Sequence, residues 1–297
     1  MNKWGAVTMV GLLLGGVGIT AVNPQQATAA KTITTQAALN SAIKKGTDLK
    51  PSATILSQPA SFYTRYKSSL TKNFNMSKKI TTFHNHKTYV YVKSPSLKTY
   101  TTKAMATWNK VLGRKVFVAG TASKHDLVVT TKNAGTAWDG MNNGKTLTIN
   151  SNRLNDANYL KNLGNSAKTR SLTTQYKNSL SKYSKLTNNK ARVAYYSTVV
   201  KNYNALLAAK KSAAPTKTNY WSAIMVHELG HSLGLNHTPY LTDIMYAEKS
   251  NNGLTSAVNG KYAWSSAKDP KSTRLMKPAV SSRDVSRAKL GIKLGFW

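Results

Sequence analysis

The sequence predicts an α/β domain in which a sheet is covered on one side by helices. Segments rich in β-branched and aromatic residues occur between residues 88 and 150, where one amphipathic segment interrupts them. A long helical segment follows near residue 220. The order of strand, helix, several strands and a last long helix is typical of an α/β architecture.

The first strand is predicted at Thr88–Val92, because its sequence TYVYV has the β-branched and aromatic content of a strand. A helix is predicted over residues 99–112, where apolar residues recur at helical spacing, and Gly113 is expected to end it as a C-terminal cap. Three further strands are predicted at residues 115–119, 126–131 and Thr146–Asn150.

Residues 155–214 are basic and have apolar residues at helical spacing. This pattern predicts an inserted helical hairpin with a break at Asn188-Asn189. Apolar and aromatic residues recur at helical intervals on both sides of the break: Leu172, Tyr176, Leu180 and Tyr183 before it, and Tyr196, Val199, Tyr203 and Leu206 after it. A core between the two helices explains this stripe. The lysines outside the stripe are the candidates for a functional role.

The N-terminus has the pattern of an export signal. Lys3 precedes a mostly apolar run, and Ala27-Thr28-Ala29 is a small-x-small cleavage site. We predict a signal peptide at residues 1–29; the alternative, a retained membrane anchor, is disfavoured by glycines within the run. Residues 30–79 form a separate N-terminal segment, interpreted as a pro-segment, a linker or a wall-binding region. The main domain is predicted at residues 80–297, with no membrane span in the mature chain.

The composition predicts a strongly basic exported protein. Lys and Arg number 43 against 9 Asp and Glu, which gives a formal net charge of +34. Such a field attracts polyanions such as nucleic acid, anionic membranes or acidic wall polymers, and charge alone does not choose among them or exclude a role in solubility only. The absence of cysteine excludes disulfides and a lipid-modified cysteine. An export signal, a strongly basic composition and the absence of cysteine together resemble exported proteins of Gram-positive bacteria. We therefore expect the chain to lie outside the cell or at its wall.

A metal-binding pattern, HExxHxxGxxH, begins at His227. Residues four apart lie on one face of an α-helix, so His227 and His231 can direct two imidazoles at one ion. Gly234 can adopt the left-handed conformation that ends the helix, which brings His237 to the same point. Glu228 adjoins the first ligand and can reach a water molecule on the metal.

This donor set predicts one catalytic zinc ion. Three neutral nitrogen ligands with an open fourth position describe a catalytic site rather than a closed structural one. Zinc lowers the pKa of its bound water toward roughly 7, and Glu228 can take the proton and later pass it to the leaving amine. The reaction predicted is peptide hydrolysis without a covalent intermediate.

The residues after His237 carry a family resemblance. Met245 followed by Tyr246 resembles the Met-turn of metzincins, specifically of the matrixin branch. The resemblance implies a metzincin-like zincin domain with a twisted, mostly parallel sheet and a long active-site helix. It also implies that Met245 forms an apolar floor beneath the metal, and that Tyr246 shapes the pocket for the residue after the cut. The aromatic and apolar residues near Tyr240 and Tyr246 separately predict a preference for an apolar residue at that position. Ser281 and Asp284 resemble the capped start of the last matrixin helix.

The chain also departs from the matrixin pattern. Matrixins are kept latent by a pro-segment cysteine, which this sequence lacks. Structural calcium has no support, because residues 88–150 offer only Asp126 and Asp139. A second metal site at His84, His86 and His125 is the alternative to hydrogen-bonded surface histidines, which we favour.

The function predicted from the sequence is that of a secreted, monomeric zinc endopeptidase acting on protein or peptide substrates, with no specific nucleic-acid partner. The alternative is a noncatalytic, wall-associated polyanion-binding protein with a vestigial zinc site. In either case we expect adhesion to anionic wall polymer through residues 30–79 and basic residues of the hairpin, namely Lys182, Lys185, Lys190, Arg192, Lys201, Lys210 and Lys211.

Overall fold

A five-stranded, mostly parallel sheet organises the domain. The structure, a computed structural model, describes residues 32–45, 49–78, 81–163, 167–247 and 276–297. The strand order is β2-β1-β3-β5-β4, and only β4 runs antiparallel to its neighbour, β5. The strands are β1 (Thr88–Val92), β2 (Phe117–Ala119), β3 (Leu127–Lys132), β4 (Gly140–Asn142) and β5 (Thr146–Asn150). The predicted fold class is confirmed.

Buried branched side chains hold the sheet together. Val90, Leu127, Val129, Leu147 and Ile149 are all 0–2% exposed. Parallel strands are normally covered on both faces and therefore carry such residues. The strands predicted around these residues are confirmed to within two residues at each end, whereas β4 was not predicted.

Eleven α-helices are described. Four precede the sheet: α1 (Gln36–Lys45), α2 (Ala53–Leu56), α3 (Ala60–Arg65) and α4 (Lys67–Asn73). The others are α5 (Lys98–Leu112), α6 (Ser151–Asn155), α7 (Tyr159–Leu163), α8 (Ala167–Lys185), α9 (Asn189–Ala213), α10 (Lys217–Ser232) and α11 (Ser282–Lys293). None of the helices in this part of the chain is long and apolar enough to cross a membrane.

Helix α5 packs directly against α10. Trp108 is fully buried, and its indole Nε1–H donates a hydrogen bond of 2.8 Å to the carbonyl of Val226. Gly113 ends α5 in the left-handed region at φ +68°, as predicted. The contact fixes the position of α10, which carries the HExxH residues, relative to the domain core.

The N-terminal segment shares the core of the sheet domain. Leu39, Ile55, Phe62, Leu70 and Phe74 are 0–3% exposed and belong to the same buried cluster as the apolar residues of the strands. None of its helices was predicted. The predicted division at residues 79 and 80, like the signal peptide at residues 1–29, lies outside the described residues.

The inserted hairpin consists of α8 and α9, joined at Asn188, whose side chain accepts a hydrogen bond from the Ala191 N–H as an N-cap. Ring contacts Tyr176–Tyr203 and Tyr183–Tyr196, at centroid distances of 5.4 and 5.9 Å, join the two helices. The predicted hairpin and its aromatic stripe are therefore present. The stripe is not fully covered, since Tyr196 and Tyr203 remain about half exposed.

Candidate active site

Helix α10 carries the first two histidines of the motif. Thr216 caps its N-terminus by accepting a hydrogen bond from the Asn219 N–H, and residues 220–226 are buried. The helix ends at Ser232, and Gly234 has φ +85°. A Cβ atom at Gly234 would lie 2.4 Å from a ring carbon of Phe296, so both conformation and packing require glycine at this turn.

The turn at Gly234 brings three histidines together. The ring centroids of His227, His231 and His237 lie 4.9, 5.1 and 5.0 Å apart, and one nitrogen of each ring lies within 4.8 Å of the others. All three are partly exposed. Among the described residues they form the only group of three or more His, Asp or Glu close enough to share a metal ion.

Backbone carbonyls fix the orientation of two of these rings. His227 Nδ1 lies 2.7 Å from the Ile244 carbonyl oxygen, and His231 Nδ1 lies 2.6 Å from that of Leu235. A carbonyl can only accept, so Nδ1 carries the proton in each neutral ring and Nε2 keeps its lone pair. This is the arrangement in which an imidazole is prepared to bind a metal.

The surroundings of the histidines fit a cation. The adjacent cavity, of about 300 Å³, is lined by Asp139, Glu228 and Asp243, and none of the lysines or arginines of the described residues lines it. Asp139 and Asp243 are paired with Arg153 and Arg283, at 3.0 and 2.5 Å, so the fit to a cation rests on the imidazole nitrogens and on Glu228. Three imidazoles beside an open cavity match the donors and open position of a catalytic zinc site.

Glu228 lies next to the histidines, with only 5% of its surface exposed. Its position depends on Gly140 of β4, where a Cβ atom would lie 2.9 Å from Glu228 Oε1 and 2.8 Å from Ile224 Cγ2. Its backbone carbonyl accepts a hydrogen bond of 2.5 Å from Asn142 Nδ2, which also donates to Ser232 Oγ. The antiparallel edge strand therefore positions the carboxylate, although β4 was not predicted.

Met245 lies directly beneath the helix. It is fully buried, and a Cβ atom at Gly230 would lie 2.5 Å from its sulfur. The turn is closed by two backbone hydrogen bonds, from Thr238 N to Met245 O and from Ala247 N to Thr238 O, of 2.8 and 3.1 Å. Met245 and Gly230 thus make a close apolar contact under the histidines.

A buried group of charges supports the same turn from below. Asp284 is fully buried at the N-terminus of α11, and its carboxylate accepts a hydrogen bond of 2.9 Å from the Ile244 N–H. Arg287 lies 3.5 Å from it, and Arg283 lies 2.5 Å from Asp243. Burial, together with the nearby charge of Asp243, raises the pKa of Asp284 to about 7. Ser281 caps α11 by accepting from the Asp284 N–H, as predicted.

Comparison with known families matches residues 75–257, more than half of the chain, to the matrixin family. The chain belongs to the matrixin family. Matrixins are zinc peptidases, so membership supports a zinc metallopeptidase, and the predicted resemblance to the matrixin family is confirmed. The comparison with curated proteins gave no match, and neither did the comparison with solved structures.

In this matrixin the two candidate pocket tyrosines occupy different places. Tyr246 lines the cavity beside Glu228. Tyr240 does not line it among the described residues; it is buried, and its ring lies 3.6 Å from the Arg283 guanidinium carbon. The cation–π contact holds Tyr240 at the base of the turn and leaves the cavity wall to Tyr246.

The histidines outside the motif do not meet. His84 Nε2 lies 3.0 Å from Asp126, His86 Nδ1 lies 3.1 Å from the Trp297 carbonyl, and His125 Nδ1 lies 3.1 Å from the Thr121 carbonyl. Each has its own hydrogen-bond partner. The alternative of a second metal site at these three residues is therefore wrong for the described structure.

Proposed function

We propose that this matrixin is a secreted zinc endopeptidase in which His227, His231 and His237 hold one zinc ion and Glu228 is the general base. The observation that carries the proposal is the convergence of three imidazoles, two of them oriented by backbone carbonyls, and a buried carboxylate beside one open cavity. We further propose that residues 1–29 are removed as a signal peptide and that the wall of a Gram-positive bacterium is the setting.

When bound, zinc supplies Lewis-acid chemistry, since it acidifies a water molecule and polarises the scissile carbonyl. The chain supplies the proton transfers. Glu228 accepts the proton of the attacking water and delivers it to the amine as the peptide bond breaks. Gly140 leaves room for this carboxylate, and the carbonyls of Ile244 and Leu235 keep two imidazoles in the tautomer that binds metal.

Chelation tests the proposed function. We expect cleavage of an unstructured protein such as casein to stop when a chelator removes the metal and to return when zinc is added, because the three neutral imidazoles hold zinc reversibly. Activity should also fall toward acid, where the histidines become protonated. Cleavage that continues unchanged in chelator would contradict the proposal and leave the noncatalytic alternative.

The cavity is proposed to bind the side chain directly after the cut. Ala223, Ile224, Tyr246 and Met276 supply the apolar part of its wall. The carboxylate of Asp139 at the cavity is already engaged by Tyr220 and Tyr159 hydroxyls, each at 2.6 Å, and by Arg153 at 3.0 Å. We therefore expect the apolar walls to decide the choice of side chain.

A peptide library measures this preference. Peptides with an apolar residue directly after the cut should be cleaved with higher kcat/KM than peptides that differ only by a charged residue at that position. Burial of an apolar side chain gains free energy, whereas a charged group would lose its hydration in the cavity. Preferential cleavage before lysine or glutamate would contradict the assignment.

The basic hairpin is proposed to hold the protein at anionic wall polymer. Residues 157–227 contain no acidic residue, and Lys182, Lys185 and Lys190 are exposed on or near the hairpin tip. We expect the protein to bind purified Gram-positive walls at low salt and to be released near about 1 M salt, where the screening length is roughly 3 Å.

A matched set of substitutions locates the binding surface. Replacing Lys182, Lys185 and Lys190 by glutamine should weaken wall binding more than the same replacement of the exposed residues Lys98, Lys110 and Lys115, which remove equal charge elsewhere. Equal weakening by both sets would show that only net charge matters. Binding that survives high salt would exclude an electrostatic hold.

A further inference from the structure

Residues 75–77 of the N-terminal segment pair with the turn that carries the third histidine. Met76 forms an antiparallel bridge with Leu235. The Ser77 N–H donates to the Gly234 carbonyl at 2.9 Å, and the Asn236 N–H donates to the Asn75 carbonyl at 3.2 Å. The chain between the end of α10 and His237 is therefore held by an element that precedes the sheet by about ten residues.

The Asn75 side chain reaches His237 itself. Its Nδ2 donates a hydrogen bond of 2.8 Å to the backbone carbonyl of His237. Asn75 has φ +46°, a left-handed conformation that asparagine tolerates better than most residues. This conformation ends α4 and turns the amide toward the histidine. The backbone of His227 and His231 is already fixed by α10, so these two histidines do not depend on a side chain such as that of Asn75 for their position.

Arg287 of α11 joins the two segments. Its guanidinium is fully buried and donates to three carbonyl oxygens: Phe74 at 2.9 Å, Asn75 at 2.6 Å and Asn236 at 2.8 Å. Carbonyls buried without a donor are costly, so the guanidinium stabilises the contact between these two segments and α11. The N–H groups of Arg287 therefore find all three of these acceptors only when residues 74–75 and Asn236 lie side by side.

The helices before Asn75 anchor this contact in the core. Phe62, Leu70 and Phe74 are 0–3% exposed and belong to the same buried cluster as Met245. The family match begins at residue 75, so helices α1 to α4 lie outside it. They precede the matched region and lead directly into the segment that contacts the metal-binding turn.

We infer that residues 32–78 are a permanent part of the active site, and that Asn75 is a positioning residue for His237. This inference rests on the proposed zinc-binding role of His237. The active form of the protein then retains residues 32–78, and maturation removes only residues before them. A pro-segment ending near residue 79, one of the interpretations of the sequence, would take the partner of His237 with it.

Substitution Asn75→Gly tests the positioning role. Glycine keeps the left-handed backbone without strain and removes only the side-chain amide. We expect zinc affinity, measured by competition with a chromogenic chelator, to fall about tenfold or more, as for other residues that orient a metal ligand. Asn109→Ala is the matched control, because the Asn109 amide also bonds backbone groups of another segment, Val116 and Phe117, away from the histidines.

The outcomes separate this inference from the proposed function. If the wild-type protein binds zinc, the metal site stands. Unchanged zinc affinity in Asn75→Gly would then overturn the positioning role of Asn75. So would a loss of zinc affinity in Asn109→Ala equal to that in Asn75→Gly. Failure of the wild-type protein to bind zinc would overturn both. The second measurement is the denatured mass of the secreted, zinc-loaded, active protein: an N-terminus at or before residue 32 is expected, and any N-terminus after residue 32 would overturn the inference.

Discussion

Substitution of Glu228 by alanine is expected to abolish most turnover while zinc stays bound. The carboxylate is the only acidic group in the HExxH pattern, and its removal leaves all three imidazoles in place. A general base contributes about 10²- to 10⁴-fold to such reactions, so kcat should fall by at least this range. Zinc content by atomic emission and kcat on one peptide substrate measure the two properties separately.

The control for this experiment is Asp156→Ala, which removes an exposed carboxylate outside the cavity. It should leave both zinc content and kcat unchanged. A Glu228→Ala protein that retains zinc and cleaves at near the wild-type rate would show that the assigned base is wrong although the metal site is right. Loss of zinc from Glu228→Ala would instead assign the carboxylate a role in metal binding.

Sequence patterns predicted those helices and strands whose formation depends mainly on residues close together in the chain. Helix α10 and its end at Gly234 follow from the spacing of the motif and from the one residue type that adopts φ +85° without strain. The strand at Thr88–Val92 follows from its composition. Their positions in the chain were predicted closely because neighbouring residues alone determine them.

The supporting residues of the site had no local signal. Strand β4 is only Gly140–Asn142, and its sequence GMN has no strand propensity, so it forms through pairing with β5. Gly140 is needed because Ile224 and Glu228 of α10 lie against it. A contact between residues 88 positions apart leaves no periodic pattern in the sequence.

The N-terminal helices were missed for a related reason. Helices α2, α3 and α4 have four to seven residues, too short to show a clear amphipathic period or to be stable alone. Their apolar residues, such as Phe62 and Leu70, are ordered by burial against the main core. The segment was interpreted as a pro-segment, a linker or a wall-binding region, and none of these interpretations included its buried side.

Substitution of His231 by alanine is expected to remove zinc and activity together. Only two protein ligands would remain, and a site with three imidazoles loses much of its affinity when one is removed. The change also deletes the hydrogen bond from His231 to the Leu235 carbonyl, in the turn that leads to His237. Added zinc should restore little activity, because both the ligand and the orientation of the turn are lost.

His125→Ala is the control for the loss of an imidazole, because His125 is exposed and its Nδ1 lies 3.1 Å from the Thr121 carbonyl oxygen, outside the group of three histidines. It should bind one zinc per chain and cleave at the wild-type rate. Together with Glu228→Ala, the expected order is that loss of the base stops catalysis with the metal in place, whereas loss of a ligand stops catalysis by removing the metal. A His231→Ala protein with full zinc content would mean that the metal is held by a different set of residues, and the assignment of all three histidines would fail.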